Sequence, residues 1–398
     1  MEKDVAKIAL ALVKQAITGE YSGEEFACTD EEVLRSLYAF SVAHDVANLV
    51  GDALIKNGSL KKESEAYAKF SGAIFRSVLR FERSRHDSET VFDALENAGI
   101  DFMPLKGAVI REYYPRPEMR TSCDVDVFIE KKNVKKAVSV LTGGCGCKFI
   151  SELYDEATLK TEGGVTLEIH GSLADGDDGN GGDNARRKYF KNAMNESLVK
   201  DGYKHYRLQT AEEFVAYFIY HSAKHFRLGG CGIKAIADAF VIKNKIRYDE
   251  KVLIRKLDRL KLRDFHDVHF AIAEKEFGSG EVAGDEEFKK IVATAEKFIL
   301  SGGTYGGGNH GDVRLATTKG GKAGYIIKRA FLPYGVLKQE YPILVKAPVL
   351  YPFCTIHRWF SALFGKKKRS LKKEIQTSRS VTDERKEEIS NLFDSLGV

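Results

Sequence analysis

Residues Asp124 to Ile129 read Asp-Val-Asp-Val-Phe-Ile, an apolar run that carries two like charges two residues apart. In a strand, side chains two apart point to the same side of the sheet. Asp124 and Asp126 therefore converge on one face, and Val125 and Val127 take the other. Two carboxylates so placed repel each other unless a cation sits between them; the bland alternative is an edge strand whose polar face meets water. A second run, Thr166-Leu-Glu-Ile-His170, follows about forty residues later. It puts Glu168 and His170 on one face and Leu167 and Ile169 on the other. A chain with two such strands must build a sheet with one apolar face and one chemically loaded face.

The rest of the chain is read around that sheet. Its 398 residues suggest two or three domains. Apolar residues recur at helical spacing over Val5–Ile17 and over residues 31–54, and a longer helix is predicted from about Lys61 to Asn97. Phe70, Ile74, Val78 and Phe81 form part of its expected buried stripe, and Ala98-Gly99 is its stop. The texture then changes. A short strand is predicted at 100–105, a helix at 107–114 stopped by Pro115 and Pro117, the acidic strand at 124–130, a helix at 131–144 and a strand at 147–154. A hairpin follows, its arms meeting at Gly163-Gly164, and a Gly/Asp stretch over 174–184 closes the unit. From Ala211 to about Leu300 the pattern is helical again, followed by a glycine-rich loop. No internal repeat is present. The expected fold class is α+β. A mixed-sheet core over 99–208 is flanked by a helical N-terminal region (1–98) and a helical domain (209–302). A glycine-rich loop with a C-terminal helical extension occupies 303–398.

Composition narrows the function. With 62 basic and 57 acidic residues the net charge is +5. That balance permits an anionic ligand and fixes no partner. No basic stripe with interleaved aromatics appears, which ranks nucleic acid below a small molecule, sugar or peptide as partner. Six cysteines without a CxxC pair indicate neither a zinc site nor a disulfide framework. The N-terminus lacks the pattern of a signal peptide, and no apolar run is long enough to span a bilayer, so a cytoplasmic location is expected. The most apolar segment, 341–364, is interrupted by Lys346, His357, Arg358 and prolines. The basic run over 365–373 that follows reads as a solvated helix end, with lipid or RNA contact as the alternative.

Chemistry concentrates on the loaded face. Asp124, Asp126 and Glu168, three carboxylates from two neighbouring strands, are placed to hold two divalent metal ions. Hard, oxygen-preferring Mg²⁺ suits them when phosphate oxygens complete its shell. One ion would bind a triphosphate and the other would lower the pKa of an attacking hydroxyl. Phosphoryl and nucleotidyl transfer need mainly positioning and charge neutralisation, which such an arrangement supplies. Lys106-Gly107 lies where the first strand turns into a helix, a place for a backbone anion cradle with an added charge. Arg120 is set either to pair with phosphate or to neutralise Asp124 or Asp126. Phe214, Phe218, His221 and His225 share one helical stripe. The piece Gly320-Gly-Lys-Ala-Gly324 lacks the Ser/Thr and the preceding strand of a P-loop and reads as loop. His266 and His269 share a helix face without a third ligand nearby, which favours solvent or core roles.

Taken in order, Pro104-Leu-Lys-Gly107, Glu112-Tyr-Tyr-Pro-Arg-Pro117, Arg120, Asp124-Val-Asp126 and Leu167-Glu-Ile-His170 resemble the nucleotidyltransferase superfamily typified by DNA polymerase beta. They look closest to its uncharacterised bacterial and archaeal nucleotidyltransferase family. The resemblance continues through His221-Ser-Ala-Lys-His225, Asp238 and the proline-marked segment 329–352, and so touches roughly residues 100–352 in patches. It implies a nucleotidyltransferase-like core and a metal-dependent transfer of a nucleoside monophosphate from an NTP, by default ATP, to an acceptor hydroxyl on a small molecule, sugar or peptide. Mg²⁺ or Mn²⁺ would be held by Asp124, Asp126 and Glu168. Lys106, Gly107 and Arg120 would hold the triphosphate, and Lys224 and His225 would contact nucleotide or substrate, leaving His221 in the core. The alternatives are γ-phosphoryl transfer at the same site and a non-catalytic nucleotide-binding relative.

Overall fold

The structure is a computed structural model. It describes residues 2–20, 30–153, 155–174, 182–304, 330–341, 343–364 and 382–398, with a few positions between 306 and 316. The piece at 320–324 expected to be loop, the basic run at 365–373 and most of the Gly/Asp stretch lie outside the described residues.

The molecule is α+β. Three helices open the chain, α1 (Glu2–Thr18), α2 (Glu31–Ala43) and α3 (Ala47–Lys56), followed by the long α4 (Glu65–Asn97). Two of them, α2 and α4, start at a side-chain cap that the sequence supplies. The Asp30 carboxylate accepts the N–H groups of Glu32 and Val33 at the head of α2, and the Ser64 hydroxyl accepts that of Tyr67 at the head of α4. The buried row of α4 is Phe70, Ala73, Ser77, Ser84, Asp87, Val91 and Leu95. Val78, expected in the stripe, is exposed instead. The middle of α4 faces the polar tip of a hairpin, where Thr161 donates to Asp87. The row α4 buries includes Ser77, Ser84 and Asp87 beside its apolar residues, so it differs from the purely apolar row expected from the sequence.

Five strands form the main sheet: β1 (Met103–Pro104), β2 (Asp124–Phe128), β3 (Lys148–Leu153), β4 (Glu156–Lys160) and β5 (Thr166–His170). Their order is β1-β2-β5-β4-β3, with β2 and β5 parallel and the other pairs antiparallel. The helix after β1 is shorter than expected. Only Gly107–Ile110 (α5) is α-helical; 3₁₀ turns at Arg111–Tyr113 and Pro117–Met119 carry the chain to β2, as two prolines without N–H groups dictate. Helix α6 (Lys131–Gly144) makes the β2-to-β3 connection.

Val125, Val127, Leu167 and Ile169 pack with Val91 and Leu95 of α4 and with Ala137 and Leu141 of α6. That cluster seals one face of the sheet. The opposite face looks toward helices α7 (Gly182–Phe190), α8 (Ala211–Arg227) and α9 (Gly232–Lys245), backed by α10 (Glu250–Leu260), α11 (Arg263–Phe277) and α12 (Glu286–Gly302). Buried residues of α1–α3 and of α8–α12 belong to one continuous core, which Met103, Leu105 and Phe128 join from the sheet. His269 is part of that core, its Nε2 3.2 Å from the Ala235 carbonyl. Among the described residues no helix is long and apolar enough to cross a membrane.

Candidate active site

Parallel pairing sets Asp126 directly beside Glu168 and Asp124 beside Thr166. The valine-sealed rear face leaves the acidic side chains only one direction, into a cavity of about 340 Å³ between the sheet and helices α8 and α9. Lys106, Gly107, Arg120, Asp124, Asp126, Glu168, Lys224 and His225, the residues singled out from the sequence, all line it.

Their pairings differ from what the sequence suggested. Asp126 is nearly buried and receives two partners on one oxygen: the Lys106 ammonium at 3.0 Å and His170 Nε2 at 2.7 Å. Burial by itself would raise its pKa, but Lys106 and His170 reverse the sign and hold the carboxyl well below the usual carboxylate range. Glu168 goes the other way. Burial, followed by the negative charges of Asp126, Glu156 and Asp124, pushes its carboxyl up to about 7. Asp124 accepts a hydrogen bond from the Ser122 hydroxyl at 3.0 Å.

Lys106 stands at the turn in a backbone conformation rare for a side-chain-bearing residue, φ 47° and ψ −114°. Gly107 behind it has no room to be anything else: a Cβ there would lie 2.6 Å from Arg120 Nη1 and 3.0 Å from Ser122 Oγ. Gly107→Ala is therefore expected to displace Arg120 and lower stability by about 1–3 kcal/mol. A thermal melt unchanged within a degree would contradict this packing.

Arg120 neutralises neither Asp124 nor Asp126. Its guanidinium clasps Asp238 of α9 through Nε at 3.2 Å and Nη2 at 2.8 Å, and the Tyr114 hydroxyl donates to the same carboxylate at 2.7 Å. Nothing in the sequence pairs residues 118 apart; only the docking of α9 against the turn creates this contact. On α8, His225 Nε2 lies 2.9 Å from His221 Nε2, so one ring must donate its N–H to the other's lone pair. His221, expected in the core, stands in the cavity wall. Burial first, then the positive charge of Lys106 and the neighbouring His225 and Lys224 side chains, drives its pKa well below the ordinary histidine value.

The metal-ligating capacity also shifts by one residue. Among the described residues, Asp126, Glu168 and His170 bring ligand atoms within 4.8 Å of one another; Asp124 is not in that set. The sequence puts His170 on Glu168's face and in the motif Leu167-Glu-Ile-His170, without marking it as a ligand. Two carboxylates and an imidazole, one carboxylate with its pKa raised by burial and then by like charge, form a donor set that a divalent cation fits.

A model of the family described as "Uncharacterised nucleotidyltransferase" matches residues 30–278. No curated protein matches the chain, and no solved structure does.

Proposed function

The chain belongs to the uncharacterised nucleotidyltransferase family, and from that membership and the acidic cavity we propose a metal-dependent transfer of a nucleoside monophosphate from an NTP, ATP by default, to an acceptor hydroxyl. The observation that carries this reading is the meeting of Asp126, Glu168 and His170 on one face of the sheet beside the Lys106 turn.

In this reading Asp126, Glu168 and His170 hold a divalent ion, with Asp124 at the rim. The imidazole in the set favours Mn²⁺ over Mg²⁺. A bound ion supplies charge neutralisation for the triphosphate and a lower pKa for the attacking hydroxyl. The protein's own groups do the rest. Lys106, held charged by its place beside Asp126, offers its ammonium to phosphate oxygens. Arg120, fixed by Asp238 and Tyr114, presents a rigid guanidinium edge to the same anion. Glu168, as a ligand of that ion, stays ionised, and the acceptor hydroxyl, acidified by the ion, gives its proton to solvent. Lys224 and His225 reach the substrate from α8, and Phe214, Tyr217 and Phe218 offer an apolar wall for the base.

The test is incubation with α-labelled and γ-labelled NTP, Mn²⁺ or Mg²⁺ and a cell extract. Transfer of the α-label with release of pyrophosphate supports the reading; transfer of the γ-label identifies a kinase instead, and absence of both, together with absent metal-dependent NTP binding, removes it. A pH series adds a second readout. Metal binding requires ionised Glu168, so affinity is expected to rise about tenfold per pH unit below about 7 and to level off above it. For stability the sign reverses. The folded protein holds a proton on Glu168 that the unfolded chain releases, so metal-free stability falls as pH rises from the ordinary glutamate range to about 7.

A further inference from the structure

Helix α9 (Gly232–Lys245) opens onto the cavity, whose wall includes its N-cap Cys231 and the first-turn residues Lys234 and Ala235. The first N–H groups of a helix have no carbonyl within the helix to donate to. Here that of Ile233 donates to His44 Nδ1 at 3.2 Å, and Cys231 contributes no side-chain cap. The head of α9 therefore brings partial positive charge and spare donor capacity to the cavity.

A helix head alone does not make a binding site. The second observation lies just after α12. Thr304 lines the same cavity and is only 9% exposed. Its hydroxyl has no hydrogen-bond partner among the described residues. It stands against the first residue of α9: a Cβ built on Gly232 would lie 2.6 Å from Thr304 Oγ1. A buried hydroxyl left unbonded destabilises the fold, and an acceptor oxygen at the head of α9 would relieve it.

Charge says which acceptor. An ammonium has three donors, and the Asp45 carboxylate takes one of those of Lys234, at 2.5 Å. The acids nearby are already answered, Asp45 by Lys234 and Asp238 by Arg120 and Tyr114. Backbone N–H groups, a hydroxyl and an ammonium all donate. An oxyanion satisfies every one of them, and a cation satisfies none. A phosphoryl group, with several oxygens, can meet donors from α9 and from Thr304 at once.

We propose that the head of α9 is a second anion site of the cavity, beside the one at Lys106-Gly107. It takes a phosphoryl group on Thr304 Oγ1, the first-turn N–H groups and the Lys234 ammonium. The proposal rests on the nucleotidyl-transfer reading only for the origin of that group, which is either the terminal phosphate of the NTP or a phosphate borne by the acceptor.

The experiment uses the full chain with inorganic phosphate as the probe, read as the phosphate-dependent rise in melting temperature. Thr304→Val keeps the branched shape and removes the hydroxyl, and Thr304→Ser keeps the hydroxyl. Without phosphate, Thr304→Val should melt no lower than the parent, because the hydroxyl it removes bonds nothing in the protein. Its phosphate affinity should fall about tenfold, while Thr304→Ser should bind like the parent. Repeating the titration at saturating ATP and Mn²⁺ separates the two origins. Competition between phosphate and ATP, with Thr304→Val weakening ATP but not AMP, assigns the site to the NTP; phosphate bound alongside ATP assigns it to the acceptor. No phosphate binding by the parent, binding that Thr304→Val leaves unchanged, or a Thr304→Val protein that melts well below the parent would each overturn the proposal, whether or not ATP binds. Failure of ATP to bind, with phosphate binding still weakened in Thr304→Val, removes the transfer reading and leaves this site standing.

Discussion

Asp126→Asn is expected to abolish nucleotidyl transfer, with a loss on the order of 10³-fold or more in turnover, while the protein stays folded. Asp126 is the one carboxylate on which the site converges: Lys106 and His170 both bind its Oδ1, and it belongs to the set of three residues able to ligate a metal. Asparagine keeps the shape and one acceptor oxygen but removes the charge. Without that charge the cation affinity falls, Lys106 loses the anion that orients it, and Glu168 loses one of the neighbours that raise its pKa. The pH dependence of metal binding should therefore move to lower pH in the variant. Pyrophosphate release and circular dichroism measured on the same preparation separate loss of chemistry from loss of fold. Turnover within tenfold of the parent would remove Asp126 from the centre of the mechanism.

The second large effect is on stability. Arg120 and Asp238 are almost entirely shielded, their side chains 11% and 3% exposed. Solvent therefore screens this pair little. Removing one member leaves the other as a buried charge without its counter-ion, which costs about 3–5 kcal/mol. Arg120→Ala should lower the urea midpoint accordingly. Replacing both members, as in Arg120→Met with Asp238→Leu, should recover much of the loss, since apolar groups of similar volume do not need a partner. Nucleotide binding should fail in both variants, because the guanidinium edge is absent from both. A single variant that loses less than about 1 kcal/mol would mean the clasp is solvated after all.

Much of this site was legible in the chain. The alternation in Asp124–Phe128 and Thr166–His170 assigned each residue to a face, and the structure keeps every one of those assignments. Helix α6 begins and ends where the pattern placed it, at Lys131 and Gly144. What failed failed for a physical reason. Apolar spacing on α4 points to Val78, but the row the helix buries takes in Ser77, Ser84 and Asp87, so polar residues share the contact face. The helix after β1 was read through to Tyr114, but a proline-marked connector shortens it to a single turn. Proximity in sequence points Arg120 to Asp124 or Asp126, whereas its partner is Asp238, far along the chain.

Local pattern thus determined that this chain has a two-faced sheet, that its acids share one face, and that helices flank it, because side-chain direction in strands and helices repeats with a fixed period. Only the tertiary structure decided which charges meet. It set Lys106 and His170 on Asp126, gave Arg120 to Asp238, and placed His221 at the cavity. Ion pairing acts over a few ångströms in space and carries no memory of separation along the chain, so no sequence period can encode it.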